Sequence, residues 1–110
     1  MAVSVRLQLP FEVKDRLQRG ERFILLDVRE QEEWEYDGHI PQATHIPLGE
    51  LETRHHELDS KEEIVVVCRS GGRSGRACEY LASLGYRVIN MPGGMTAWQG
   101  AIQFEDGSEA

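Results

Sequence analysis

Two stretches of the chain, Phe23-Ile24-Leu25-Leu26-Asp27-Val28 and Glu63-Ile64-Val65-Val66-Val67, carry their apolar residues in continuous rather than alternating order. A strand without a polar face must be covered on both sides, which points to a parallel sheet held between helices. Tyr86 to Asn90 reads as a third strand, and Thr44 to Ile46 as a brief further one. The intervening segments carry helical signals. Pro10 to Gln18 opens on proline, sets Phe11, Val13 and Leu17 among charges, and stops near Gly20. Glu30 to Asp37 is charged around Trp34 and ends at Gly38, while Pro47 to Arg54 turns Leu48 and Leu51 inward. From Arg73 to Leu84 the residues Ala77, Tyr80, Leu81 and Leu84 recur at helical spacing, with Gly85 as the stop, and a last short helix around Met95 to Gln99 follows Gly93-Gly94. Strands alternating with helices imply right-handed βαβ units, hence the α/β class.

Length and composition fit that reading. The chain has 110 residues, no internal repeat and no linker-like tract, so a single domain over residues 1–104 is expected, with a short disordered tail at 105–110. No apolar run approaches the ~18 residues that span a bilayer, and the amino terminus shows no basic region followed by an apolar stretch. The expectation is a cytoplasmic protein without membrane contact. The formal net charge of -7 argues against nucleic acid as a partner, because polyanions are drawn by a basic face. Two cysteines, Cys68 and Cys78, are too few for a disulfide framework.

The chemistry concentrates where the second strand ends, in Cys68-Arg69-Ser70-Gly71-Gly72-Arg73-Ser74. A buried strand delivers a cysteine to a glycine-containing loop that runs straight into a helix, at the carboxyl edge of the sheet where such folds place ligands. Backbone N–H groups of a tight loop and a helix start form a concave anion site, here suited to the cysteine's own sulfur. Helix starts and nearby cations lower a cysteine pKa, so Cys68 reads as a nucleophile. Arg69, Arg73 and Arg76 lie in a stretch without a single acid, so the segment is strongly positive on an acidic chain and can receive an anionic substrate. A core cysteine gains nothing from these glycines and arginines.

At these residues the sequence resembles the single-domain rhodaneses, a family of sulfurtransferases, over about residues 5 to 103. Cys68 to Arg73 is similar to the family's active-site loop. Leu25-Leu26-Asp27-Val28-Arg29 is similar to its first signature strand, Gly38-His39-Ile40-Pro41-Gln42-Ala43 to the following turn, and Gly93-Gly94-Met95-Thr96-Ala97-Trp98 to its last signature. The resemblance implies a three-layer α/β/α sandwich on a parallel sheet of about five strands. It also implies that Cys68 takes the sulfane sulfur of thiosulfate or a similar small anionic donor as a persulfide. A thiol, cyanide or a sulfur-carrier protein then removes it, with no cofactor and no metal. In this scheme Arg69 and Arg73 hold the donor, and Ser70, Gly71, Gly72 and Ser74 contribute mainly backbone donors. Asp27 and Arg29, at a strand end, form an ion pair that fixes the neighbouring loops.

Two other readings compete. Cysteine phosphatases and arsenate reductases use C-x5-R, a loop one residue longer than this C-x4-R, with Ser74 standing where their arginine would be. An inactive binding module of the same family is the other, although such modules often lack the cysteine. Elsewhere, six acids against Arg29 between Asp27 and Asp37 make either a solvated helix face or a docking surface for a basic partner. His39 sits in a turn and is expected to bond nearby backbone, and His45, His55 and His56 lack zinc-like spacing with any cysteine. Cys78, beside the apolar stripe of its helix, is expected to be packed and inert.

Overall fold

The computed structural model describes residues 5–109; residues 1–4, on which part of the expectation about the amino terminus falls, and Ala110 lie outside the described residues. Five strands, β1 (Arg6–Leu7), β2 (Ile24–Asp27), β3 (Thr44–His45), β4 (Glu63–Val67) and β5 (Arg87–Asn90), form one sheet. Its order is β1-β5-β4-β2-β3, and every pairing is parallel. The helices are α1 (Pro10–Gln18), α2 (Gln31–Tyr36), α3 (Leu51–Arg54) and α4 (Gly72–Ser83), with 3₁₀ turns at Leu48–Glu50, His55–Glu57 and Gly94–Ala97. This is the α/β/α sandwich on five strands that the family resemblance implies.

The continuous apolar runs divide between two cores. Ile64 and Val66 of β4 face one side, where they meet Leu51 of α3 and Ala77 and Leu81 of α4. Val65 and Val67 face the other side, with Val13 of α1 and Trp98. Each residue of β4 after Glu63 is therefore buried, which is why this strand tolerates no polar position. Burying an aliphatic side chain of this size contributes about 1.5–3 kcal/mol, so β4 anchors both layers.

Three elements differ from the sequence pattern. β1 leaves no mark in the sequence: both its residues are exposed and it is only two residues long, so neither an apolar run nor an alternation signals it. The helix expected over Pro47 to Arg54 divides into a 3₁₀ turn followed by α3, and the one expected around Met95 to Gln99 is a 3₁₀ turn over Gly94–Ala97. Each is too short for cooperative α-helix propagation, so tertiary contacts set its geometry.

After the last 3₁₀ turn the chain returns to the body. Gln103 bridges His39 in antiparallel fashion and also bridges Glu109, and the Phe104 N–H group donates to the Ser108 carbonyl at 2.8 Å. Gly38, with φ of 79°, lies so close beneath Ile102 and Phe104 that a Cβ there would strike the Ile102 side chain and press on the Phe104 ring. Among the described residues no helix is long and apolar enough to cross a membrane.

Candidate active site

Cys68 follows directly on β4, and the chain then folds back beneath its sulfur. Gly71 adopts φ of 113°, a conformation closed to most side-chain-bearing residues. That turn aims the Gly71 N–H at Cys68 Sγ, 3.0 Å away, and starts α4 in the same step. Ser74, in the first turn of α4, is fully buried, with its Oγ 3.3 Å from the sulfur. The Ser74 hydroxyl donates in turn to Asn90 Oδ1 at 2.6 Å, at the end of β5. The ends of β4 and β5 and the start of α4 are thus linked through one sulfur atom and the serine beside it.

Burial of Cys68 pushes its thiol up, but hydrogen bonding with the Ser74 side chain and with the backbone at Ser74, Gly71 and Ser70 outweighs it. The thiol is held below the ordinary cysteine value, which favours the nucleophilic thiolate. Cys78 behaves in the opposite way. It is completely buried in the core beneath α4, and desolvation, followed by the charges of Cys68 and Glu79, pushes its thiol up to about 12.

A second loop closes over the first. The Met95 N–H donates to the Cys68 carbonyl at 2.8 Å, and the Thr96 N–H and hydroxyl donate to the Arg69 carbonyl at 2.9 and 2.8 Å. Gly94 makes this approach feasible: its φ is 53°, and a Cβ would run into the Cys68 and Arg69 carbonyl groups. The Gly93-Gly94 pair and the cysteine loop are therefore two halves of one structure.

The arginines divide by role. Arg73 is clamped by Glu33 of α2, with guanidinium-to-carboxylate distances of 2.6 and 2.8 Å. Hydrogen bonding to Arg73 is the largest influence on Glu33 and holds its carboxyl down at about 2. Arg29 and Asp27 form a bidentate pair in the interior, 2% and 0% exposed, and Arg29 Nη2 also donates to the Gly38 carbonyl at 2.8 Å. His45 Nε2 lies 2.7 Å from the Arg29 carbonyl oxygen, while Trp34 stacks on the rings of both His39 and His45. His39 Nδ1 is 3.1 Å from the Ile40 carbonyl oxygen. Arg69 is exposed and lines an open cavity with Arg29, Asp37, Met95, Thr96 and Ile102. Arg76 is exposed further along α4. Among the described residues, no group of three His, Cys, Asp or Glu side chains could hold a metal ion.

Of the residues marked in the sequence, Gly71, Ser74 and the backbone of Ser70 gather at the sulfur. Gly72 begins α4 with open space beside it, and Arg69 and Arg73 point to different neighbours. The side-chain contact of Ser74, the Asn90 support and the Glu33 clamp were not read from the sequence. A polar residue closing an otherwise apolar strand was the available signal for Asn90, and nothing in the sequence singled out Glu33 among its acidic neighbours.

The match to known proteins covers both loops. Residues 9–101 fit the family described as Rhodanese-like domain. The chain belongs to the rhodanese-like family. It is 43% identical over 88 residues to YtwF of Bacillus subtilis, covering 80% of this chain and 84% of that protein. It is 39% identical over 87 residues to a protein of Allochromatium vinosum named sulfurtransferase, covering 78% and 80%. The crystal structure of a rhodanese-like domain protein from Staphylococcus aureus superposes with a TM-score of 0.86 at 29% identity, covering 92% of this chain and 99% of that one. The family match spans the cysteine loop and the Gly93-Gly94 turn, and the superposed crystal structure shares the overall fold.

Proposed function

We propose that this rhodanese-like domain, residues 1–104, is a sulfurtransferase in which Cys68 carries the sulfur as a persulfide. The observation that carries this reading is the cradle: a buried sulfur that accepts the Gly71 N–H at 3.0 Å, with Ser74 Oγ at 3.3 Å, at the start of a helix. Such donors stabilise a sulfur anion without requiring a cation at contact distance. The Cys68 thiolate attacks the outer sulfur of thiosulfate. The S–S bond of the donor breaks, its electron pair leaves with sulfite, and the enzyme holds a Cys68–S–S⁻ persulfide. A second nucleophile, such as cyanide, a thiol or a sulfur-carrier protein, attacks the terminal sulfur and returns Cys68 as thiolate. The two half-reactions give ping-pong kinetics.

Within this scheme Arg69, on the cavity rim, meets the charged end of the donor, while Arg73 braces the loop through Glu33. Asp27 and Arg29 hold the floor by fixing the Gly38 turn. The relative named sulfurtransferase supports the general activity, and the short C-x4-R loop favours a single sulfur atom over the tetrahedral oxyanion of a phosphatase or arsenate reductase. The absence of a membrane-length helix among the described residues fits a role in the cytoplasm.

The test is intact-mass analysis after incubation with thiosulfate, followed by thiocyanate formation with cyanide. The expected result is a gain of one sulfur atom on the wild type and none on Cys68→Ser. A wild type that gains no sulfur from thiosulfate or from a thiol persulfide, or a Cys68→Ser protein that still forms thiocyanate, refutes the scheme.

A further inference from the structure

A groove of about 580 Å3 runs between the end of α2 and the returning chain, lined by Glu35, Tyr36, Phe104, Glu105, Asp106 and Ser108. Its walls are aromatic. Tyr36 is 76% exposed, an unusual position for a large ring, and Phe104 is held in place over Gly38. Carboxylates of Glu35, Glu105 and Asp106 stand around these rings, and none of the three is ion-paired among the described residues. The groove also adjoins the site. Asp37 and Ile102, the sequence neighbours of Tyr36 and one short step from Phe104, line the cavity that holds Arg69. The Gly38 carbonyl beneath Phe104 accepts a hydrogen bond from Arg29.

Aromatic faces flanked by carboxylates form a receptor for an ammonium or guanidinium on an aliphatic stem. The ring faces attract the cation, the stem covers apolar surface, and the acids neutralise the charge. We propose that this groove docks a basic segment of a protein thiol acceptor and so presents that protein's thiol to the Cys68 persulfide. The inference rests on the sulfurtransferase reading for its chemistry, but the docking itself does not. In the transfer, the acceptor thiolate attacks the terminal sulfur of Cys68–S–S⁻. The S–S bond breaks, Cys68 leaves as thiolate, and the acceptor retains the sulfur as a persulfide. The acids around α2 that carry no ion pair among the described residues, Glu30, Glu32, Glu35 and Asp37, then have a use: they draw a partner that an exposed arginine of the cysteine loop would repel.

Two measurements on the full chain test this. In the first, a fluorescein-labelled peptide Gly-Lys-Leu-Lys-Ser-Gly is titrated with unmodified protein and read by anisotropy, against Gly-Glu-Leu-Glu-Ser-Gly. The basic peptide is expected to bind at least about tenfold more tightly, with the advantage falling steeply as salt rises past the range in which surface charges are screened. Glu35→Gln/Glu105→Gln and, separately, Tyr36→Ala are each expected to remove most of it. In the second, protein already carrying sulfur is discharged by the same peptides with cysteine in place of serine. The basic peptide's advantage should collapse in both variants while discharge by cyanide stays at the wild-type rate. Equal binding of the two peptides overturns the proposal, as does a preference that survives both variants. Failure to load sulfur at all refutes the sulfurtransferase reading instead, and leaves the anisotropy result to decide the docking.

Discussion

The buried Ser74 hydroxyl oxygen lies 3.3 Å from Cys68 Sγ, while its proton is directed to Asn90 Oδ1 at 2.6 Å. One side chain thus connects the nucleophile to the end of β5. When the thiol ionises, the hydroxyl can turn to the sulfur, and its loss is felt mainly by the thiolate. A hydrogen bond to a charged group is worth about 1.5–3 kcal/mol, so Ser74→Ala should slow alkylation of Cys68 at pH 7 by about tenfold or more. The midpoint of the alkylation rate against pH should move upward. An unchanged midpoint would show that the backbone donors alone set the thiolate. Asn90→Ala should shift the same profile less, because Asn90 reaches the sulfur only indirectly, through the Ser74 hydroxyl and the Gly71 carbonyl.

The two glycine turns make a sharper stability prediction. Ala at position 94 would place a Cβ against the Cys68 and Arg69 carbonyl groups, in a backbone conformation at φ of 53° that side chains disfavour. Gly94→Ala should therefore cost more than about 2 kcal/mol in denaturant unfolding, and should abolish sulfur loading because the second loop can no longer cap the first. Gly72→Ala is the comparison for stability: an added Cβ there meets nothing, and it lies in the first turn of α4. Its unfolding midpoint should equal or exceed that of the wild type.

These residues also show what the chain's pattern discloses. β2, β4, α1 and α4 are visible in sequence because each is defined by its own apolar order or by proline and glycine at its ends. The nucleophile is visible for the same local reason, since Cys68 and Gly71 belong to one continuous loop. What escapes is set by partners distant in sequence. Glu33 lies 40 positions from Arg73, and no feature of Glu32, Glu33 or Glu35 says which of them faces the loop. Ser74 gains its second partner 16 positions away, on a strand whose sheet position depends on the whole fold. β1 is defined only by pairing with β5.

The Glu33–Arg73 pair predicts a specific dependence on pH. Hydrogen bonding to Arg73 lowers the Glu33 carboxyl from its ordinary 4.5 to about 2 in the folded chain. A depressed folded value gives stability that is complete above the unfolded value and is lost as pH falls towards the folded one. The difference in unfolding free energy between wild type and Glu33→Gln should be largest near pH 6–7, of order 2 kcal/mol, and should shrink below pH 4.5 towards zero near pH 2. A difference independent of pH would mean that the pair contributes through packing alone. At neutral pH the same variant should load sulfur more slowly, because the loop loses its brace to α2.

The two cysteines should separate cleanly by reactivity. Cys68 is held below the ordinary thiol range, whereas burial raises Cys78 to about 12 within a core that admits no solvent. At pH 8 a thiol with a pKa of about 12 is ionised to only about one part in ten thousand, and the thiolate is the reacting form. Brief iodoacetamide treatment of the folded protein should therefore label Cys68 alone by peptide mass spectrometry, with Cys78 labelled only after denaturation. Cys78→Ala should retain sulfur loading at the wild-type rate and lose stability by the cost of a small cavity, about 1 kcal/mol. Labelling of Cys78 in the native state, or a Cys68–Cys78 disulfide after mild oxidation, would instead assign it a resolving role, since a thiol exchanges with a partner only through its thiolate.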